Sequence, residues 1–144
     1  MSVNTGFIQA TRRSNGERLQ SAGLASVRIV LGLVFLMAGV SGFVFLFVTA
    51  PPAQPGLAGQ FQDVFFRSHW VQFVDGVELL SGLLLLSNRF VTLALTMLGA
   101  VIANILAFHI SMQPQTIAVP LVVLTLWTVL AYHHRTTLAP LFTK

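Results

Sequence analysis

The sequence contains no cysteine and very little charge. The absence of cysteine excludes a disulfide framework, a CxxC redox motif, thiolate ligation of an iron–sulfur cluster and a cysteine nucleophile. Charged residues make up 8% of the chain, whereas soluble domains carry about 25%. A chain that is 55% hydrophobic and this poor in charge would precipitate as a water-soluble monomer. The sequence therefore predicts an integral membrane protein whose solvent is lipid.

Long apolar runs predict the architecture. Each is near the roughly 20 residues that a helix needs to cross a ~30 Å hydrocarbon core. The runs cover about 24–48, 70–87, 90–111 and 117–133. The polar turn Ser87-Asn88-Arg89 is too short for anything but an antiparallel hairpin. We therefore expect an all-α membrane protein, in which a four-transmembrane-helix antiparallel bundle occupies residues 23–144. Residues 1–22 are polar and lack hydrophobic periodicity, which predicts a flexible cytoplasmic tail.

The segment after the first run begins with helix-breaking residues, Pro51, Pro52, Pro55 and Gly56. Apolar residues then recur at helical spacing, at Leu57, Phe61, Val64 and Phe65. This pattern predicts a short amphipathic helix that lies in the membrane interface, in the first external loop. An ordinary external loop is the alternative.

The distribution of basic residues predicts the orientation. With four spans, both termini and the turn at Arg89 lie on one side, which holds nearly all the basic residues, whereas the opposite loops hold only Arg67. The positive-inside rule therefore places both termini in the cytoplasm. The net charge of +4 is explained by this asymmetry, so the expected partner is the lipid bilayer and no nucleic acid is expected.

The hairpin of the second and third runs carries polar residues at membrane depth: Asp75, Glu78, Asn104 and His109. Such groups are costly in hydrocarbon and are candidates for a functional site. Asp75 and Glu78 are i, i+3 neighbours on one helix face, and Glu78 is expected roughly 13 Å below the outer start of its helix. A proton-handling or headgroup-binding site is one interpretation. The other is that the groups satisfy one another and fix the helix register.

Helical geometry divides these candidates. Asn104 shares a stripe of small residues with Ala100, Ala103, Ala107 and Ser111, which favours a tight helix contact in which Asn104 holds two helices together. His109 falls on the opposite side of that helix. Arg28 lies on a glycine-rich stripe of the first helix and is the candidate counter-charge for Glu78. Their side chains lean apart, however, and their expected depths differ by roughly 9 Å.

Other chemistries find little support in the sequence. The four histidines show no metal-ligand spacing, so no metal and no intrinsic cofactor are expected. A bis-histidine haem between His69 and His109 stays open as an alternative. No glycine-rich phosphate loop follows a strand, and no spacing indicates a Ser/His/acid triad.

Several stretches resemble the DoxX-like membrane proteins, over roughly residues 26–142. They are RIVLGLVFLMAGVSGF, VELLSGLLLLSNRFVTLALTMLGAVIANILAFH and LAYHHRTTLAPLF. The Glu-x3-Gly-x-Leu-Leu-Leu stretch from Glu78 and the Asn-x4-His pattern at Asn104 and His109 carry most of the resemblance. It implies a four-helix membrane bundle, and polar positions at Arg28, Glu78, Arg89, Asn104 and His109. Many members have a lysine shortly after the first-helix glycines, where this chain reads Gly39-Val-Ser-Gly-Phe.

The DoxX-like family takes its name from a membrane subunit associated with thiosulfate:quinone oxidoreductase, and distant members act as assembly factors. The resemblance therefore implies a membrane subunit of a quinone-linked redox assembly in the bacterial cytoplasmic (inner) membrane. Quinone is then the expected ligand, and a redox enzyme or other membrane subunits are the expected partners. Glu78, Asp75, His109, Asn104 and Arg28 would line its polar pocket. The alternatives are a non-enzymatic membrane scaffold or assembly factor and a small proton-coupled transporter. Whether the chain is itself an enzyme is left open.

Overall fold

Helices account for every regular element of the described chain. The computed structural model describes residues 3–44, 47 and 55–143, with the backbone alone for residues 3–15 and 142. Six α-helices and two short 3-10 turns lie in these ranges, without a strand among them. Two helices are long and apolar enough to cross a membrane, and a third span results if one bent helix pair counts as one. These features indicate an integral membrane protein built as a helical bundle.

The first helix, α1, spans Val3–Val44 and has 42 residues. It is about 63 Å long at 1.5 Å per residue, roughly twice the thickness of a hydrocarbon core. The helix start predicted near residue 24 is wrong, because α1 continues through most of the segment predicted as a separate tail. No proline precedes residue 51, so nothing in the sequence forces a break once the apolar part has formed a helix. The helix end predicted at 48 lies outside the described residues.

The second helix, α2, spans Leu57–Arg67, and the third, α3, spans Trp70–Leu86. They meet at an angle of 82°, and His69 at the bend has a φ of 58°. The segment after the prolines is therefore a helix, and the alternative of an ordinary loop is wrong. Phe61 of α2 stacks on Phe65 and lies 5.4 Å from Phe108, between ring centroids. These rings hold α2 against the bundle.

The fourth helix, α4, spans Val91–Met112. Between α3 and α4, Asn88 and Phe90 both have a φ of 54°, which lets the chain reverse within four residues. The fifth helix, α5, spans Ala118–His133, and a short α6 follows at Arg135–Leu138. Helices α3, α4 and α5 lie within one residue of the runs predicted from hydropathy, because prolines and polar turns mark their ends.

Helix packing is closest between α1 and α3. The backbones approach at Gly39 and Gly82: a Cβ at Gly82 would lie 2.7 Å from the Leu36 nitrogen and 2.9 Å from the Gly32 oxygen. Such close approach is how helices associate in lipid, where apolar burial gives little driving force. The fully buried side chains Leu31, Phe35, Leu85, Leu95, Leu98 and Leu130 fill the half of the bundle nearest the α3–α4 turn.

Trp127 joins α5 to α4. Its indole Nε1–H donates a hydrogen bond of 2.8 Å to the Leu95 carbonyl oxygen. The ring lies over Gly99, where a Cβ would be 3.1 Å from Cζ2 of the tryptophan. The small residue on α4 therefore makes room for the largest residue on α5.

Candidate functional site

Helix α3 carries an unusual set of buried polar side chains. Asp75 is 8% exposed and Glu78 is 6% exposed. Ser81, one turn further on, is fully buried and donates a 2.7 Å hydrogen bond to the Val77 carbonyl oxygen. Carboxyl groups are almost never buried unless something compensates for the lost water. Residues spaced by three share a helix face. Asp75 and Glu78 were predicted to share a face of α3, and both are buried.

Asp75 faces α1 at a glycine. A Cβ atom at Gly42 would overlap the Oδ2 atom of Asp75, and a Cβ at Gly39 would lie 2.6 Å from the Asp75 carbonyl oxygen. Glycine at both positions is therefore what allows the helices to come together here. The carboxyl group lies directly against the α1 backbone, where it is shielded from solvent.

The buried acids have no polar partner among the described residues. Asp75 Oδ2 is buried and accepts no hydrogen bond, and the same is true of Gln72 Oε1. Within the described residues, one ion pair forms. It joins Asp63 to Arg67 at 2.8 Å, on the exposed side of α2. Asp75 and Glu78 interact electrostatically with each other, and like charges repel. The site thus holds buried hydrogen-bond acceptors that receive no hydrogen bond from the described residues.

Arg28 does not join this site. Its Nη1 group donates hydrogen bonds to the Leu85 carbonyl oxygen and, at 3.4 Å, to the Leu86 carbonyl oxygen. These carbonyls belong to the last turn of α3, where a helix leaves oxygens unpaired and where positive charge is favourable. Seven residues, or about 10 Å of helix, separate Leu85 from Glu78. Arg28 therefore completes the C-terminus of α3, and its predicted role as a counter-charge for Glu78 is wrong in this arrangement.

The Asn104 amide nitrogen donates a 2.9 Å hydrogen bond to the Ala100 carbonyl oxygen of its own helix. Among the described residues, Asn104 forms no hydrogen bond with another helix. The residues of its small-residue stripe are all exposed: Ala100, Ala103, Asn104, Ala107 and Ser111. The prediction that Asn104 holds two helices together within the chain is therefore wrong. Periodicity showed that the stripe exists, but it gave no information on whether a helix of the same chain covers it.

His109 lies near the C-terminal end of α4 and is partly buried. Its Nδ1 atom is 2.8 Å from the Ile105 carbonyl oxygen. A carbonyl oxygen only accepts, so Nδ1 carries the hydrogen of this bond and donates it. The ring packs edge-on against Phe108, with 5.3 Å between centroids. No hydrogen bond or ion pair between described residues joins His109 to Asp75 or Glu78.

The end of α5 holds a second polar group. The His133 and His134 rings meet edge to face at 5.0 Å, and the Arg135 guanidinium lies 4.5 Å above the Tyr132 ring. Burial and, secondarily, the neighbouring His133 lower the pKa of His134. Within the described ranges, no group of three or more His, Asp or Glu side chains is arranged to hold a metal ion.

Two features of the site were missed in the sequence. Gln72 lies one turn before Asp75 and shares its buried side, and the i, i+3 spacing that linked Asp75 to Glu78 would have found it. The contact of Asp75 with Gly42 needed the register of α1 against α3. That register follows from helix packing and is absent from either helix pattern alone.

Comparison with known protein families, curated proteins and solved structures finds no match to this chain.

Proposed function

We propose that this chain is an integral membrane subunit of a quinone-linked redox assembly. The observation that carries the proposal is the buried, unpaired acid pair Asp75 and Glu78 on α3. Buried ionisable groups at membrane depth are expensive and mark proton or substrate pathways. The resemblance of the hairpin to DoxX-like proteins points to the same class of function.

The proposal includes a four-span arrangement in the bacterial cytoplasmic membrane, with both termini in the cytoplasm. Helices α1, α3, α4 and α5 would each cross the bilayer. Helices α3 and α5, with 17 and 16 residues, measure about 26 and 24 Å. They are a few Å shorter than a ~30 Å core, a mismatch that local thinning of the bilayer accommodates at modest cost.

Helix α2 would lie in the outer interface. It meets α3 at 82°, so it runs nearly in the membrane plane when α3 crosses it. Leu57 and Val64 are exposed, which suits contact with acyl chains, and the Asp63–Arg67 pair occupies another side of the helix. Trp70 is exposed at the start of α3, where an aromatic ring suits the headgroup region.

The chemistry of quinones fits the acid pair. A quinone that becomes a quinol takes up two electrons and two protons, and the electrons would come from a redox partner subunit. Carboxyl groups that lie beside a bound quinone are able to donate and accept those protons. Because Arg28 and Asn104 point their donors elsewhere, this role rests on Glu78 and Asp75, and His109 Nε2 is the further group available at the outer end.

The proposal is tested by isolating the full chain from its native membrane in mild detergent and analysing the lipids and proteins that co-purify. We expect quinone, an electron-transfer partner, or both. Glu78→Gln keeps the size of the side chain and removes its acidity, so it is expected to slow quinone-dependent electron transfer at least tenfold. Asp63→Asn, on exposed α2, is the matched control and is expected to have no effect. If no quinone and no redox partner co-purify and Glu78→Gln leaves electron transfer unchanged, the proposal fails.

A non-enzymatic scaffold or assembly factor is the second candidate, and the exposed small-residue stripe of α4 favours it. Such stripes let helices of different chains approach closely in lipid. Gly32 and Gly39 are unsuitable test positions, because they lie within the α1–α3 contact. Ala103→Leu is the informative change: a scaffold loses its co-purifying membrane partner with Ala103→Leu and keeps it with Glu78→Gln. Val122→Leu, on the exposed side of α5, is the control and should keep the partner.

A further inference from the structure

Three neighbouring side chains on α3, at Gln72, Asp75 and Glu78, form what we call the acceptor cluster. They follow one another at intervals of three residues, which places each beside the next along the helix. Asp75 is more than nine-tenths buried. Its Oδ2 atom and the Gln72 Oε1 atom are both buried and both without a hydrogen-bond donor. A buried acceptor left unpaired costs about 1–3 kcal/mol, so two of them on residues three apart in one helix would be stabilised by a hydrogen-bond donor.

The described residues of the surrounding helices do not supply a donor. The part of α1 that faces Asp75 presents Gly39 and Gly42. The titratable groups that α2 brings to this end of the bundle are Asp63 and Arg67, which are exposed and bonded to each other. Helix α4 brings His109, whose Nδ1–H is used by the Ile105 carbonyl. On α3 itself, His69 is exposed at the bend and Glu78 adds a second acid.

The space around Asp75 favours a proton over a larger cation. The carboxyl group lies so close to α1 that a single Cβ atom at Gly42 would overlap Oδ2. A sodium or calcium ion needs several oxygen ligands around it at more than 2 Å each. The described residues offer no group of three His, Asp or Glu side chains at which a metal ion would be held. A proton needs no such room, and it would turn the buried Asp75 carboxyl group from an acceptor into a donor.

We propose that the acceptor cluster is a proton-binding site, in which Asp75 carries an exchangeable proton that its Oδ2–H donates to Gln72 Oε1, with Glu78 as the exchange partner. In an exchange, the O–H bond at Asp75 breaks and an O–H bond forms at Glu78, directly or through a water molecule. No electron moves. The shared proton turns two unpaired acceptors into one hydrogen bond and removes one of the two like charges from the buried pair.

This inference rests on the proposed function in one respect: the protons would be those that a bound quinone takes up or releases. The binding site itself is a property of the isolated chain. It is therefore measured without quinone or a redox partner.

Infrared spectroscopy of the full chain in lipid vesicles tests the proposal. A protonated carboxyl group has a C=O stretching band that is separate from the bands of carboxylates and amides, and the band moves to lower frequency in D2O. At neutral pH we expect one such band, retained in the control Asp63→Asn. In Asp75→Asn we expect this band to be lost, or replaced at a different frequency by the band of a proton on Glu78. We expect Gln72→Leu to keep the band and to shift it to higher frequency, because the carboxyl group loses its hydrogen-bond acceptor.

The stability of Asp75→Asn gives a second measurement. The asparagine amide has the size of the acid and carries an N–H that is able to donate to Gln72 Oε1, as the protonated acid does. We expect its thermal unfolding temperature to be equal to that of the unmodified protein or higher. A site that needs the negative charge, such as a sodium site, would instead lose stability in Asp75→Asn and depend on sodium.

The proposal is overturned if no protonated-carboxyl band is present at neutral pH, if the band is unchanged in Asp75→Asn, or if sodium removes it. A band with these properties but no co-purifying quinone supports the proton site and counts against the quinone-linked function. Quinone binding without the band supports the quinone-linked function and counts against the proton site. The two failures are thus distinguishable.

Discussion

The carboxyl group of Asp75 on α3 lies against the backbone of Gly42 on α1, where a Cβ atom would overlap Oδ2. A buried acid and a glycine on different helices are thus matched in shape, and the contact depends on both. The absence of a side chain at position 42 sets how closely the helices approach and how deeply the acid is buried. The first prediction follows from this pair.

Gly42→Ala is expected to destabilise the protein by about 1–3 kcal/mol, because the added methyl group overfills a closely packed contact. Thermal unfolding in detergent measures the effect. Gly76→Ala is the matched control, since its Cβ would have Phe43 Cζ as its nearest neighbour, at 3.9 Å. Both changes gain the same helix propensity, so equal unfolding temperatures would contradict the close contact at Gly42.

Arg28→Met is expected to destabilise the protein by about 1–3 kcal/mol, because it removes a charged donor from carbonyl oxygens at the end of α3. The Leu85 and Leu86 carbonyls then lack this partner. Hydrogen exchange should become faster at the amides of Ser87 and Asn88, which pair with the same turn. Arg18→Met, at an exposed position of the same helix, should leave both measurements unchanged. Unchanged exchange at the α3–α4 turn in Arg28→Met would rule out the capping role.

Trp127→Phe is expected to cost about 0.5–1.5 kcal/mol, the usual worth of one neutral hydrogen bond. The change removes the indole donor to the Leu95 carbonyl oxygen and keeps an aromatic ring over Gly99. Trp70→Phe is the control, because Trp70 is exposed at the start of α3 and packs on Phe73. Thermal unfolding compares the variants. A larger loss in Trp70→Phe than in Trp127→Phe would show that the α4–α5 contact is not held by this bond.

The proposed topology predicts the accessibility of single cysteines, which the cysteine-free chain makes easy to introduce. Ser87→Cys is in the exposed α3–α4 turn, and Gln115→Cys is exposed between α4 and α5. A membrane-impermeant maleimide added to intact cells or spheroplasts is expected to label Gln115→Cys alone. Both variants should react after the membrane is opened. Labelling of Ser87→Cys from outside would reverse the orientation or break the hairpin.

The sequence predicted the helices well where polar turns or prolines mark the helix ends. The residues Ser87-Asn88-Arg89 separate two apolar runs, and α3 and α4 end and begin within one residue of the predicted bounds. The amphipathic period after Pro55 predicted α2. The predicted start of α1 was wrong. The polar segment before residue 24 has no hydrophobic periodicity, so the sequence did not indicate that the adjoining helix extends through it.

The amino-acid sequence by itself determined that the chain belongs in lipid, where its helices turn, and that Asp75 and Glu78 share one face of α3. Local spacing and hydropathy carry that information. Only the tertiary structure decided what each face meets: Asp75 packs on Gly42, Arg28 binds the end of α3, and Asn104 faces outward. A helix pattern defines the angle between its own side chains. The register and order of neighbouring helices come from the packing of the whole bundle, so no single pattern contains them.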